Sequence, residues 1–63
     1  MSLVELHSGD VAFCLNIDQI IVIRHEPITG GSVIAVMGIE QPLFASESYD
    51  EVLREVRRIE DGA

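Results

Sequence analysis

Hydrophobic and polar positions change their spacing once along the chain, close to residue 48. Before that point, apolar residues come in short runs broken by glycine, proline, asparagine and aspartate, which is typical of strands and turns. In residues 48–59 they recur every three or four positions, which predicts an amphipathic helix. The apolar stripe of this helix consists of Tyr49, Val52, Leu53, Val56 and Ile59.

Local signals mark both ends of the predicted helix. Ser48 and Glu51 have the spacing of a capping box, in which each side chain satisfies a free backbone N–H of the first turn. Asp50 and Glu51 suit the positive end of the helix dipole, and Arg57 and Arg58 suit the negative end. Gly62 is the predicted stop.

Five strands are predicted before the helix, at residues 3–7, 11–15, 20–25, 32–37 and 43–45. The short turn at residues 8–10 predicts an antiparallel hairpin of the first two strands, and the glycine-containing loop 26–31 joins the third to the fourth. Residues 16–18 form a further turn. The predicted fold class is α+β: one domain, residues 1–63, with a small antiparallel sheet of four to five strands and a C-terminal helix packed on one face.

The third and fourth strands are apolar on both faces, where a sheet with one solvated face would alternate. A helix of about 12 residues is roughly 18 Å long and can cover only one face of a small sheet. The other face needs either closure of the sheet into a small barrel or a second copy of the chain. We favour the second copy, because five short strands leave few residues to close a barrel. The expected assembly is a homo-oligomer, a dimer in the first instance, through strands 20–25 and 32–37.

Composition narrows the classes of function. The chain has eleven acidic residues against four arginines, and its net charge of −7 disfavours binding to nucleic acid or to anionic membranes. A domain of this size buries only about 60% of its unfolded surface. Cys14 is the single cysteine, which excludes an internal disulfide and leaves self-association as a source of stability. The first residues lack the pattern of a secretory signal, and we expect a cytoplasmic protein.

Residues with catalytic or metal-binding chemistry are scattered. These residues are His7, Asp10, Cys14, Asp18, His25 and Glu26. No two of them have the spacing of zinc ligands, so we expect no metal and no cofactor. Cys14 lies within a strand and is predicted to be a small buried thiol, and the histidines to be solvated. No nucleophile has a base beside it, and a pocket above about 300 Å³ is not expected in so small a monomer. We therefore expect no enzyme.

Two further features have an ordinary structural interpretation. Residues 29–32 contain two glycines, but they lack the lysine and the following helix of a phosphate-binding loop. Arg54 and Arg58 have acidic residues three or four positions before them, which with Arg57 indicates a solvated helix face. The alternative for these arginines is a docking face for an acidic partner or for the acidic surface of a second subunit.

Two stretches resemble a known family. Leu15-Asn16-x-Asp18-x-Ile20, then a predicted hairpin and Gly38, then Glu47-Ser48-x-x-Glu51-Val52-Leu53, are similar to motifs of the small flagellar FlbD-type proteins. In that family the first motif joins two strands and the second opens the final helix, so the resemblance, over residues 11–59, implies the same layout. Ile17 stands where the family usually has proline.

The order of elements also resembles that of the carbon storage regulators, which are RNA-binding dimers of five strands and a C-terminal helix. This resemblance implies an intertwined dimer. That family binds RNA with a basic residue just before the helix, where this chain has Ala45-Ser46-Glu47, and the acidic Glu47 argues against RNA binding.

Two hypotheses of function follow from the sequence. The first is a non-enzymatic interaction or regulatory module that forms a homo-oligomer and presents its surface to a protein partner. The alternative is an RNA-binding regulator that acts as an intertwined dimer.

Overall fold

The structure is a computed structural model that describes residues 2–62. Its elements follow the order β1 (Leu3–Ser8), β2 (Val11–Asn16), a 3-10 helix (Ile17–Gln19), β3 (Ile20–His25), β4 (Ser32–Val36), β5 (Leu43–Ala45) and α1 (Tyr49–Gly62). All five predicted strands and the helix are present, and β3 and β5 have the predicted bounds. The α+β class with antiparallel strands and a C-terminal helix is confirmed.

The strands form two antiparallel sheets, so the prediction of a single sheet is wrong. β1 and β2 form a hairpin, and β3, β4 and β5 form a three-stranded sheet in that order. The sheets meet beyond the end of β5, where the Ser46 N–H donates to the His7 carbonyl oxygen at 2.6 Å. Because β5 has only three residues and the chain turns into the helix soon after it, no ladder joins the two sheets.

The 3-10 helix directs the chain from the first sheet into the second. The Asn16 side chain accepts a hydrogen bond from the Asp18 N–H at 3.1 Å, which confirms the predicted turn. Ile17 is buried in the core beneath it. The Ile17 N–H donates to the Ser2 carbonyl oxygen at 2.9 Å, and the Gln19 carbonyl oxygen accepts from Met37 at 2.8 Å. This short turn is therefore tied to both sheets.

The capping box forms at the start of α1 as the sequence predicts. The Glu51 N–H donates to the Ser48 Oγ, and the Ser48 N–H donates to the Glu51 Oε1, both at 3.2 Å. The helix continues to Gly62, three residues beyond the predicted stripe. Its last turn consequently contains no basic residue, and the predicted interaction of Arg57 and Arg58 with the end of the dipole is wrong.

The core lies between the two sheets and the helix. Its buried residues come from every element except β3, which packs the partly buried Ile20 and Ile23 against them; they are Val4, Leu6, Leu15, Ile17, Ile34, Val36, Ala45 and Val52. In α1, Val52 is fully buried, and Val56 and Ile59 pack against the cluster. Leu53 is only half-buried and Tyr49 is exposed. The apolar face of the helix is therefore centred on Val52, and the predicted stripe is too wide.

A bulge in β3 explains why this strand shows no alternation of apolar and polar residues. The register shifts between Ile20, which pairs with Val36, and Val22, which pairs with Ala35. Ile20 and Ile23 both pack against the core although they lie three positions apart, which an unbroken strand would not allow. The extra residue is Ile21, and its side chain is 60% exposed.

Candidate functional site

The face of the three-stranded sheet that points away from the core forms the first candidate surface. Alternation along β4 directs Ile34 and Val36 into the core, and Val33 and Ala35 outwards. The register then places this outer face in two rows across the sheet, Arg24-Val33-Phe44 and Val22-Ala35. Of these five residues only Arg24 is charged. We call this set the outer face.

The outer face is apolar but unevenly covered. Val33, flanked by Arg24 and Phe44, is only 4% exposed, although it lies outside the core cluster. Its neighbour Phe44 is 57% exposed and Val22 is 44% exposed. The side chains of β4 are thus mostly covered within one chain, and β3 and β5 carry the apolar surface that a partner could reach.

A groove between the hairpin and β5 forms the second candidate surface. It has a volume of about 480 Å³ and is lined by Ser8, Phe13, Cys14, Leu15, Pro42, Leu43 and Phe44. None of these residues is charged. We call it the β2–β5 groove. The expectation that so small a monomer holds no pocket above about 300 Å³ is wrong, because the hairpin and the second sheet are separate sheets with a gap between them.

Cys14 is exposed, and the prediction of a buried thiol is wrong. In the hairpin only one face packs on the core, where Leu15 is buried and Phe13 partly buried. Cys14 and Ala12 lie on the other face, and both are exposed. The sequence places Cys14 on a strand correctly, but its burial depends on whether a second layer covers that face.

His7 pairs with Glu47 and joins the hairpin to the segment before the helix. The His7 Nδ1 donates to one Glu47 carboxylate oxygen at 2.6 Å, and the His7 backbone N–H donates to the other at 2.9 Å. The Ser32 hydroxyl donates to the Glu47 carbonyl oxygen at 2.9 Å, which ties β4 to the same point. His7 is exposed, as the sequence predicts, but its pairing with Glu47 was not predicted. Its partner lies 40 positions away, and no local pattern could have identified it.

The pair changes the acid–base properties of both side chains. The hydrogen bond to Glu47 raises the pKa of His7 above its ordinary value of 6.5, and the nearby Glu5 adds to this. Partial burial raises the pKa of Glu47, but the hydrogen bonds from His7 outweigh it and hold that pKa below 4.5. Both shifts favour the ion pair of imidazolium and carboxylate.

The helix arginines occupy a solvated face, as the sequence predicts. Arg58 makes two hydrogen bonds to the Glu55 carboxylate, at 3.0 and 3.1 Å, and these lower the pKa of Glu55. Arg54 and Arg57 are exposed. Pairs of this kind on a surface contribute little to stability.

The remaining candidates from the sequence do not come together into a site. Glu26 accepts a hydrogen bond from the Ile28 N–H, and Thr29 accepts one from the Gly31 N–H, so residues 26–31 form an ordinary loop at a hairpin tip. Asp10, Asp18 and His25 are exposed in separate turns or strand ends. Within residues 2–62, no group of three or more histidine, cysteine, aspartate or glutamate side chains is arranged to hold a metal ion.

Comparison of the chain with protein-family models, with curated proteins and with solved structures finds no match in any of the three. The resemblances to the FlbD-type proteins and to the carbon storage regulators stay predictions. In the described part of the chain, no helix combines the length and the apolar character needed to cross a membrane.

Proposed function

We propose that this chain is a small, non-enzymatic interaction or regulatory module that forms a homodimer through its outer face. The observation that carries the proposal is the pair of exposed apolar side chains, Val22 and Phe44, on either side of covered sheet residues. This face belongs largely to the strands 20–25 and 32–37 that the sequence indicates as an interface. The bulged β3 and the short β5 supply most of its accessible part.

The apolar area of the outer face suits a weak, concentration-dependent dimer. The exposed parts of Val22 and Phe44 amount to roughly 200 Å² per copy, worth about 5 kcal/mol at 25 cal/mol per Å². Two copies together gain about 10 kcal/mol, against an association cost of about 4–15 kcal/mol. At the lowest cost in this range the net gain is about 6 kcal/mol, which corresponds to a dissociation constant of tens of micromolar. We therefore propose a weak dimer that forms between tens of micromolar and millimolar concentrations rather than an obligate one.

The RNA-binding alternative lacks comparable support. The net charge of −7 opposes an approach to phosphate. Of the three helix arginines, Arg58 is paired with Glu55. Just before the helix, where the carbon storage regulators carry a basic RNA-binding residue, this chain has the acidic Glu47, which is paired with His7.

Sedimentation of two matched variants tests the proposal. Val22→Asp places a charge on the outer face, whereas Ile28→Asp places the same charge in the β3–β4 loop, on a side chain that is 92% exposed. We expect the wild type and Ile28→Asp to dimerise equally with rising concentration, and Val22→Asp to stay monomeric with an unchanged circular dichroism spectrum. A wild type that is monomeric into the millimolar range, or equal dimerisation of both variants, would overturn the proposal.

A further inference from the structure

β2 is the only one of the four sheet edges in residues 2–62 that carries no protection against pairing. Strand edges are usually blunted by bulges, charges, proline or shortness. β3 is protected by its bulge and by Arg24, and β5 by its length of three residues and the preceding Pro42. The edge of β1 is occupied at His7, whose backbone is hydrogen-bonded to Ser46 and Glu47. β2 has six uncharged residues and pairs with β1 without a break in register.

The backbone groups of Ala12 and Cys14 point outwards from this edge. In an antiparallel pair, alternate residues direct both of their backbone groups away from the partner strand. His7 uses its N–H and its carbonyl oxygen for Glu47 and Ser46, so it belongs to this outward set on β1. Its register partner Ala12, and Cys14 two positions on, are therefore the outward residues of β2. Each offers one donor and one acceptor, at the spacing that an added strand needs.

The β2–β5 groove lies along the same strand. It is lined by Phe13, Cys14 and Leu15 from β2, and by Pro42, Leu43 and Phe44 from the opposite side. Where peptides add to a sheet edge, backbone hydrogen bonds give affinity and adjacent pockets select side chains. An uncharged groove of about 480 Å³ suits an aliphatic or aromatic side chain of such a peptide.

Charge identifies the kind of strand that would bind. Asp10 and Asp18 are exposed at the two ends of β2, and the chain carries a net charge of −7. A second copy paired antiparallel about Cys14 would bring Asp10 of each copy opposite Asp18 of the other, and like charges in opposite positions are destabilising. A strand with basic residues at its ends would instead meet an acidic residue at each end.

We infer that β2 accepts an extended segment of a partner protein, apolar in its middle and basic at both ends, which adds as a third strand to the hairpin. The inference extends the proposed interaction role to a second surface. It does not depend on dimerisation through the outer face, and the Val22→Asp variant separates the two.

Titration of the Val22→Asp protein with the synthetic peptide RTVTVTR, capped at both ends, tests this inference at low salt. We expect amide chemical shifts to change along β2 and around the groove, with saturable binding. The matched peptides ETVTVTE and RTPTPTR should bind much more weakly, the first through charge and the second because proline lacks the N–H of an added strand. Wild-type protein at concentrations where it is monomeric should behave in the same way.

Two protein variants locate the binding. Ala12→Pro removes an outward backbone N–H, and an edge strand tolerates proline at such a position. The variant should bind RTVTVTR about tenfold more weakly. Asp10→Asn combined with Asp18→Asn leaves the backbone intact and changes the net charge only from −7 to −5. It should sharply reduce the preference for RTVTVTR over ETVTVTE, and this result tests the inference if Ala12→Pro does not fold. The inference fails if RTVTVTR does not bind, if the shifts map elsewhere, or if the double variant keeps the full preference. It also fails if β2 resonances change with protein concentration alone, which would assign the edge to a second copy.

Discussion

Val52→Ala should destabilise the protein more than any other truncation in the helix. Val52 is the one residue of α1 that the structure shows as fully buried, and it belongs to the same cluster as Ile34, Val36 and Ala45. The substitution removes the two γ carbons from the core, which lowers the free energy of unfolding by about 1.6 kcal/mol at about 0.8 kcal/mol for each buried carbon. The cavity left behind adds about 1 kcal/mol, at roughly 24 cal/mol per Å³. We therefore expect a loss of about 2.5 kcal/mol.

That loss is large for a domain of this size. Stability of about 0.05–0.15 kcal/mol per residue corresponds to only about 3–9 kcal/mol for a chain of 63 residues. For domains near this length, 1 kcal/mol lowers the melting temperature by about 4–8 °C, so Val52→Ala should lower it by about 10–20 °C. Urea unfolding followed by circular dichroism at 222 nm measures the difference in free energy, provided that the m-value is unchanged.

Leu53→Ala is the matched control for this prediction. It removes more carbon atoms from the adjacent position, but Leu53 is half-buried and does not pack against the core cluster. We expect Leu53→Ala to cost about 1 kcal/mol or less, because most of the side chain's surroundings are already solvent. If Leu53→Ala proves as damaging as Val52→Ala, the orientation that we assign to the helix is wrong.

Four other predictions concern local interactions. Ser48→Ala should cost about 1 kcal/mol through loss of the capping box, and an unchanged urea midpoint would contradict it. Gly31→Ala should cost about 2–3 kcal/mol because its Cβ would collide with the carbonyl of the neighbouring strand, whereas Gly62→Ala, which has free space, should be neutral. Cys14 should react with a thiol reagent in the native protein at the rate seen in urea; strong protection would refute its exposure. The stabilisation from His7 and Glu47 should be complete between pH 4.5 and 6.5, be lost at higher pH as His7 deprotonates, and be lost at lower pH as Glu47 protonates. The difference in melting temperature between wild type and Glu47→Gln measures it, and a difference independent of pH would contradict it.

The elements of this fold could be predicted because their signals are local. The capping box at Ser48, the turn at Asn16 and the glycine-containing loop 26–31 each depend on residues a few positions apart, and all three form as expected. Alternation along the hairpin also identifies which residues share a face. Signals of this kind give strand and helix positions almost to the residue.

The arrangement of those elements depends on contacts that no local signal reports. Apolar alternation does not say which sheet a strand joins, so the division into two sheets was missed. The bulge at Ile21 interrupts the alternation of β3, and without the register the same sequence indicates a strand with two apolar faces. Cys14 and Leu53 are more exposed than expected because their burial depends on an opposing layer that is absent in the described chain. The β2–β5 groove follows from the same gap between sheets, and therefore could not be foreseen.

The pairing of His7 with Glu47 has a consequence for the order in which the chain folds. β1 and β2 close across a two-residue turn, whereas His7 and Glu47 are 40 positions apart, and chain entropy makes the longer closure slower and more costly. The hairpin should form early and attach to the rest of the protein late. In the native state the same boundary should open first, so that hydrogen exchange at the His7 and Ser46 amides precedes global unfolding. The hairpin that offers its edge to a partner would then also be the most readily detached part of the molecule.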